Sequence, residues 1–87
     1  MISKRATVAA RNGLHARPAA EFSQKAADSG VDVIVEFNGN EADAASLLEV
    51  MSLGAKRGDV ITLKVEDGAE ATLDELVAMV ETPESNG

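Results

Sequence analysis

The chain has 87 residues, 45% of them hydrophobic, which is one domain near the lower end of what a single unstapled core supports. It has no cysteine and a single histidine, which excludes disulfides, thiolate metal sites and a histidine-rich metal site, and no apolar run approaches the ~20 residues of a membrane span. The net charge of −7 disfavours nucleic-acid binding, because phosphate backbones select clustered Lys and Arg.

That charge is unevenly spread. Residues 1–20 carry bases and no acid for a net +4, residues 21–65 carry −4, and residues 66–87 carry acids and no base for −7. Only Phe22 and Phe37 are aromatic, so packing falls to Ala, Val, Leu and Ile. Such side chains suit thin layers, helices laid on one sheet. The start, Met1-Ile2-Ser3-Lys4-Arg5, opens directly into a strand-like pattern with no signal-peptide apolar region, and a cytoplasmic location fits.

In chain order, Ile2 to Ala9 alternates, with Ile2, Ala6 and Val8 on one face and Arg5 and Thr7 on the other, as in a half-buried strand. Asn12-Gly13 reads as a turn. Ala19, Phe22 and Ala26, flanked by Ala20, Ser23 and Ala27, predict a helix ending near Ser29-Gly30, with Gly30 as its C-cap. The small alanines let it lie close to a sheet. Val31 to Phe37 is the clearest strand, with Val31, Val33, Val35 and Phe37 on one face. Asn38-Gly39 then signals a hairpin, because both residues tolerate positive φ, and a short partner strand runs from about Asn40 to Asp43.

Ser46-Leu47-Leu48-Glu49 fits a capping box, with Ser46 as the N-cap and Glu49 reaching back, and the short helix it opens ends at Gly54. Val60 to Glu66 alternates again, with Ile61, Leu63 and Val65 on one face. Ala69, Leu73, Leu76, Val77 and Val80 recur at helical spacing, with Asp67 or Gly68 as the expected cap. Residues 82–87 read as a frayed tail, and residues 1–87 as a single domain without repeats.

The order is βαββαβα, an α+β chain. Strands one and two are joined through a helix, so they are expected parallel and separated by another strand. Placing the fourth strand between them gives a four-stranded antiparallel sheet of order 1-4-2-3 with three helices on one face. Pattern alone leaves that strand order open.

The chemistry gathers at Gly13-Leu14-His15-Ala16-Arg17-Pro18-Ala19, which holds the only histidine. Pro18 suits a first helical turn, where its missing N–H costs nothing, and it pushes Arg17 to the helix boundary. His15 then lies just ahead of a helix N-terminus, whose unpaired N–H groups and dipole favour an anion. A neutral imidazole, a nearby guanidinium and that N-terminus make a site for accepting a phosphoryl group. A solvated loop histidine is the plain alternative.

Gly13-Leu14-His15-Ala16-Arg17-Pro18-Ala19 resembles the active-site signature of the HPr family, the histidine phosphocarriers of the phosphoenolpyruvate-dependent sugar phosphotransferase system. A second block, Ala45 to Ala55, resembles that family's short-helix region, and the likeness runs from Met1 to Glu81. The resemblance implies an open-faced β-sandwich with the sheet order above. It makes His15 the phosphoryl acceptor through Nδ1, assigns charge neutralisation to Arg17, and gives the backbone N–H groups of Ala16 and Arg17 to the bound phosphate. It implies that enzyme I charges the carrier and enzyme IIA domains discharge it, so that the protein is a donor and substrate rather than an enzyme.

Leu47, Leu48 and Met51 are the expected apolar partner surface, with core packing as the competing reading, strongest for Leu47 and Met51. The expected state is a cytoplasmic monomer with no cofactor, no metal, no nucleic acid and no membrane insertion. In part of the family the position of Ser46 is a regulatory phosphorylation site. Here Ala45 and Asn40 stand where many members have lysine, and Glu49 would repel an added phosphate, so a structural N-cap is at least as good a reading. The competing function is an HPr-like regulatory interaction module without phosphotransfer. A self-contained hydrolase lacks any second catalytic group near His15.

Overall fold

The computed structural model describes residues 1–11, 13 and 16–83, without the Ala16 side chain. The elements follow the expected order: β1 (Ile2–Thr7), α1 (Ala16–Asp28), β2 (Val33–Phe37), β3 (Asn40–Asp43), α2 (Leu47–Ser52), β4 (Val60–Val65) and α3 (Glu70–Glu81). The four strands form one sheet in the order β1-β4-β2-β3, and every pairing is antiparallel. The alternation in the sequence sorts the sheet into two faces. Ala6, Val33, Val35, Ala42, Ile61, Leu63 and Val65 are buried under the helices, while Arg5, Glu36, Glu41, Thr62 and Lys64 face outward.

Above the inner face, α3 packs on β1 and β4, α1 lies against α2 and α3, and α2 reaches the edge strand β3. Phe22 of α1 and Leu73 and Leu76 of α3 are completely enclosed. Enclosing a side chain of that size contributes about 1.5–3 kcal/mol each by transfer from water. Ser23 is buried on α1 with its hydroxyl unpartnered among the described residues. The alanines Ala19 and Ala26 are equally enclosed, so α1 sits low over the core.

The turns obey local chemistry. Asn38 and Gly39 both take positive φ (54° and 83°), the pair that a tight hairpin between twisted strands requires. Helix α1 stops where the Ser29 hydroxyl donates to the Ala26 carbonyl at 2.6 Å and accepts from the Val31 amide at 3.1 Å. That bond takes Val31 out of the sheet, so β2 opens at Val33 rather than at Val31. Thr82 is the C-cap of α3, and its hydroxyl donates to the Ala78 carbonyl at 2.6 Å. Residues 84–87 lie outside the described part.

One cap differs. Neither Asp67 nor Gly68 caps α3; Ala69 stands at the N-cap with no side chain to offer. The Asp67 carboxylate lies 3.1 Å from the N-terminal amine instead, where a full charge competes better than an amide N–H.

On the outer face, Lys64 sits on the central strand β4 between Glu36 at 2.6 Å and Glu41 at 3.0 Å. The hydrogen bond to Glu36, followed by that to Glu41, raises its pKa above the ordinary lysine value near 10.5. A group raised in the folded state contributes its stability below the unfolded pKa and loses it as pH climbs through the folded one. The stability advantage of the wild type over Lys64→Gln should therefore be constant from neutral pH to about pH 10 and shrink above it. Thermal melts of both proteins across that range check the direction; an advantage that grows above pH 10.5 contradicts it.

Candidate functional site

The segment that leads into the histidine loop is tied down by its backbone. Val8 donates its N–H to the Asp59 carbonyl at 2.8 Å and accepts from the Gly58 amide at 2.8 Å, extending the β1–β4 pairing past the end of the strand. Ala9 donates to the Val80 carbonyl of α3 at 3.1 Å, and Gly13 donates back to Ala10 at 2.9 Å. Gly13 has φ of 78° and lies against the loop between α2 and β4. A Cβ there would stand 2.4 Å from the Ala55 carbonyl oxygen and 2.8 Å from the Lys56 Cα. Only glycine meets both demands, the left-handed backbone and the close approach.

Beyond that loop, α1 begins at Ala16, so Arg17 lies inside the first turn rather than at its boundary. The crowding that proline imposes on its predecessor is a bias, and the first turn absorbs it because Pro18 owes no hydrogen bond there. The amide N–H groups of a first turn have no carbonyl partner within their own helix. No acidic residue stands in that first turn to compete for an arriving anion. Arg17 is exposed, and its Nε lies 3.6 Å from Glu21 one turn on. An exposed i,i+4 pair is worth about 0.3–0.5 kcal/mol, so the guanidinium is readily drawn away. Asn12, Leu14 and His15 lie outside the described residues.

Helix α2 borders this region. Ser46 is its N-cap, and the hydroxyl accepts from the Glu49 amide at 3.4 Å. The second half of the expected capping box is absent. The Glu49 carboxylate accepts from the Asp43 amide at 3.0 Å, while the Ser46 amide donates to the Asp43 carbonyl at 2.9 Å. Both groups serve the β3–α2 corner rather than each other. Six residues bury one side only, which falls to Val50. Leu48 is therefore 80% exposed, and Leu47 and Met51 are each 37% exposed, against the core-packing alternative.

Sequence reading missed two supports. Glu21 was legible as an i,i+4 partner of Arg17. The contact of Gly13 with Ala55 and Lys56 had no local signal, because it joins segments some forty residues apart. Among the described residues, no cluster of three or more His, Cys, Asp or Glu could hold a metal ion, and no helix is long and apolar enough to cross a membrane.

Comparison with known proteins decides what this arrangement belongs to. Residues 2–82 match the family described as PTS HPr component phosphorylation site. The chain belongs to the HPr family. It is similar to the phosphocarrier protein HPr of Streptomyces coelicolor, 43% identical over 82 residues covering 92% of this chain and 88% of that protein. The phosphocarrier protein HPr of Vibrio cholerae is 38% identical over 82 residues, covering 93% of this chain and 96% of that one. Among solved structures, a phosphocarrier protein HPr from Bacillus anthracis superposes with a TM-score of 0.86 at 39% identity, over 91% of this chain and 95% of that chain. Membership in the HPr family makes this a phosphocarrier of the phosphotransferase system, working with that system's partner proteins.

Two substitutions probe the scaffold. Gly13→Ala forces a Cβ into the Ala55 carbonyl and should cost about 2 kcal/mol or more, from left-handed strain and overpacking together. Equal denaturant midpoints for variant and wild type contradict the close approach. Ser46→Ala should cost about 0.5 kcal/mol, the low end for an N-cap, since the 3.4 Å bond is long. A loss of several kcal/mol would mean that the hydroxyl holds more than the cap.

Proposed function

We propose that this HPr-family chain accepts a phosphoryl group on His15 from phosphorylated enzyme I and passes it to enzyme IIA domains. The observation that carries the reading is the family match over residues 2–82, which spans the Gly13 to Ala19 motif with His15 and Arg17 both intact. In this reading the Nδ1 lone pair of His15 forms the bond to phosphorus as the bond to the donor breaks. Arg17 neutralises the oxygens during transfer, and the N–H groups of Ala16 and Arg17 receive them afterwards. A helix N-terminus is worth ~0.3–1 kcal/mol to a charge, enough to bias the product without trapping it. The chain supplies position and charge, and the enzymes on either side supply the rest; it is a substrate and donor rather than an enzyme.

Leu47, Leu48 and Met51 form the apolar surface on which those partners settle, and the working state is a cytoplasmic monomer. Ser46 serves as a helix cap. Its hydroxyl is engaged with the Glu49 amide, and the Glu49 carboxylate in the same turn opposes a second anion, so a regulatory phosphate at Ser46 is disfavoured. Leu48 supports the partner surface, because an exposed leucine on a short helix gains nothing for the fold.

Incubation with enzyme I and phosphoenolpyruvate, followed by intact mass, tests the assignment. One phosphate adduct is expected, labile in acid and stable in alkali as a phosphoramidate is. His15→Ala should abolish it. Arg17→Ala should keep the melting temperature and slow the transfer, by two orders of magnitude or so if its charge acts as transition-state donors do. An adduct that survives in His15→Ala ends the assignment.

A further inference from the structure

Three charged residues of α1, Arg17, Glu21 and Lys25, recur at every fourth position and so lie along one side of the helix. By helix chemistry alone Glu21 should pair with Lys25, because a glutamate four residues ahead of a cation is the favoured orientation. The structure pairs them otherwise. Lys25 reaches across to Glu75 of α3, with its Nζ 3.5 Å from the carboxylate. Glu21 is left to Arg17, 3.6 Å from the guanidinium Nε, in the less favoured order along a helix. Among the described residues, Glu21 has no second cation within ion-pair reach, and Arg17 has no second carboxylate.

The pair does little for the fold. Both side chains are mostly exposed, 74% for Arg17 and 59% for Glu21, so packing fixes neither of them. Its consequence lies at the start of α1, a turn with no acid of its own. A guanidinium that neutralises a phosphoryl group there must serve it in competition with Glu21. The planar fork has several N–H donors, but one positive charge shared between a carboxylate and a dianion neutralises each of them less.

We propose that Glu21 is a positioning residue for Arg17, competing with the phosphoryl group for the guanidinium and so making the phosphorylated chain a readier donor. The inference rests on the carrier reading above and adds to it the group that sets how firmly the phosphate is held. The pair stabilises the unphosphorylated chain and is weakened in the phosphorylated one, so it shifts the equilibrium away from phosphorylation. An exposed i,i+4 contact shifts such an equilibrium by about twofold. Glu75 acts one step further back. By holding Lys25 it deprives Glu21 of its better partner and keeps it on Arg17. A bias of this size and sign suits a relay, which must not hold its cargo too well.

A competition at equilibrium reads the bias. Equal amounts of isotope-labelled wild type and unlabelled Glu21→Gln are incubated at low salt with catalytic enzyme I and limiting phosphoenolpyruvate. Enzyme I takes the phosphoryl group from one carrier and returns it to another until the distribution is stable, and intact mass reads each carrier's share. The ratio of phosphorylated to free chain should be about twofold higher for Glu21→Gln, with the melting temperature unchanged. Glu75→Gln should shift the ratio in the same direction by less, because the freed Lys25 draws Glu21 away from Arg17. Arg17→Ala run against Arg17→Ala/Glu21→Gln should show equal ratios, since the residue through which Glu21 acts is gone. Equal ratios for Glu21→Gln and wild type overturn the inference alone. An undiminished excess without Arg17 also overturns it, because Glu21 would then repel the phosphate directly. No shift in Glu75→Gln overturns the part given to Lys25. A wild type that takes up no phosphoryl group overturns the carrier reading and this one with it.

Discussion

Everything in this molecule that bears on the histidine loop hangs on the backbone exchange between Val8 and the turn at Gly58 and Asp59. Both polar groups of Val8 are spent on that turn, its side chain is 1% exposed, and the next residue is bonded to the end of α3. The chain thus leaves the sheet in a fixed direction and meets the start of β4 and the end of α3 at one point. The Gly13 approach to Ala55 closes the loop from the other side. A segment whose path is held by backbone bonds and one steric contact tolerates variation in most surrounding side chains. It does not tolerate a change in chain path, which is why the glycine matters more to the geometry than many larger residues.

Charges contribute differently. The acids of the C-terminal third lean on the rest of the fold: Asp67 on the N-terminal amine, Asp74 on Lys4, Glu75 on Lys25, and Glu81 on the Thr7 amide at 3.0 Å. The ion pairs are exposed, and such pairs are worth about 0–1 kcal/mol each. The core of Phe22, Ile61, Leu63, Leu73 and Leu76 therefore carries the stability, and the charges set where α3 rests. Glu81 does one more thing. It occupies an amide on the outer edge of β1, a strand edge that would otherwise be open to pairing with another chain.

Much of the fold was legible because local chemistry and tertiary packing agree. Alternation in β4 predicted that Ile61, Leu63 and Val65 would share a face, and the sheet buries all three. The Asn38-Gly39 turn and the Ser46 cap follow from single-residue preferences that nothing distant opposes. Failures arose where a distant group outbid a neighbour. Asp67 or Gly68 was the expected cap of α3, but the Asp67 carboxylate pairs with the N-terminal amine at 3.1 Å and the helix has no side-chain cap. Glu49 left its capping box for the Asp43 amide for the same reason. At the site, residue types and spacing singled out His15 and Arg17 as the expected acceptor pair, whereas the Gly13–Ala55 contact and the turn at Lys56 could emerge only once β1 and β4 were paired.

The short α2 helix shows how a small fold accommodates an exposed apolar surface. A helix of six residues that commits only Val50 to the core must leave its other large side chains outside. That arrangement lowers solubility and contributes nothing to stability. A patch of two leucines and a methionine is also far below the area that sustains a permanent complex. Its size suits contacts that form and dissolve repeatedly, in keeping with the proposed docking of partners there. Weak apolar contact alone, however, discriminates poorly among partners, since it is non-directional. Selectivity must then come from directional or long-range forces near the patch.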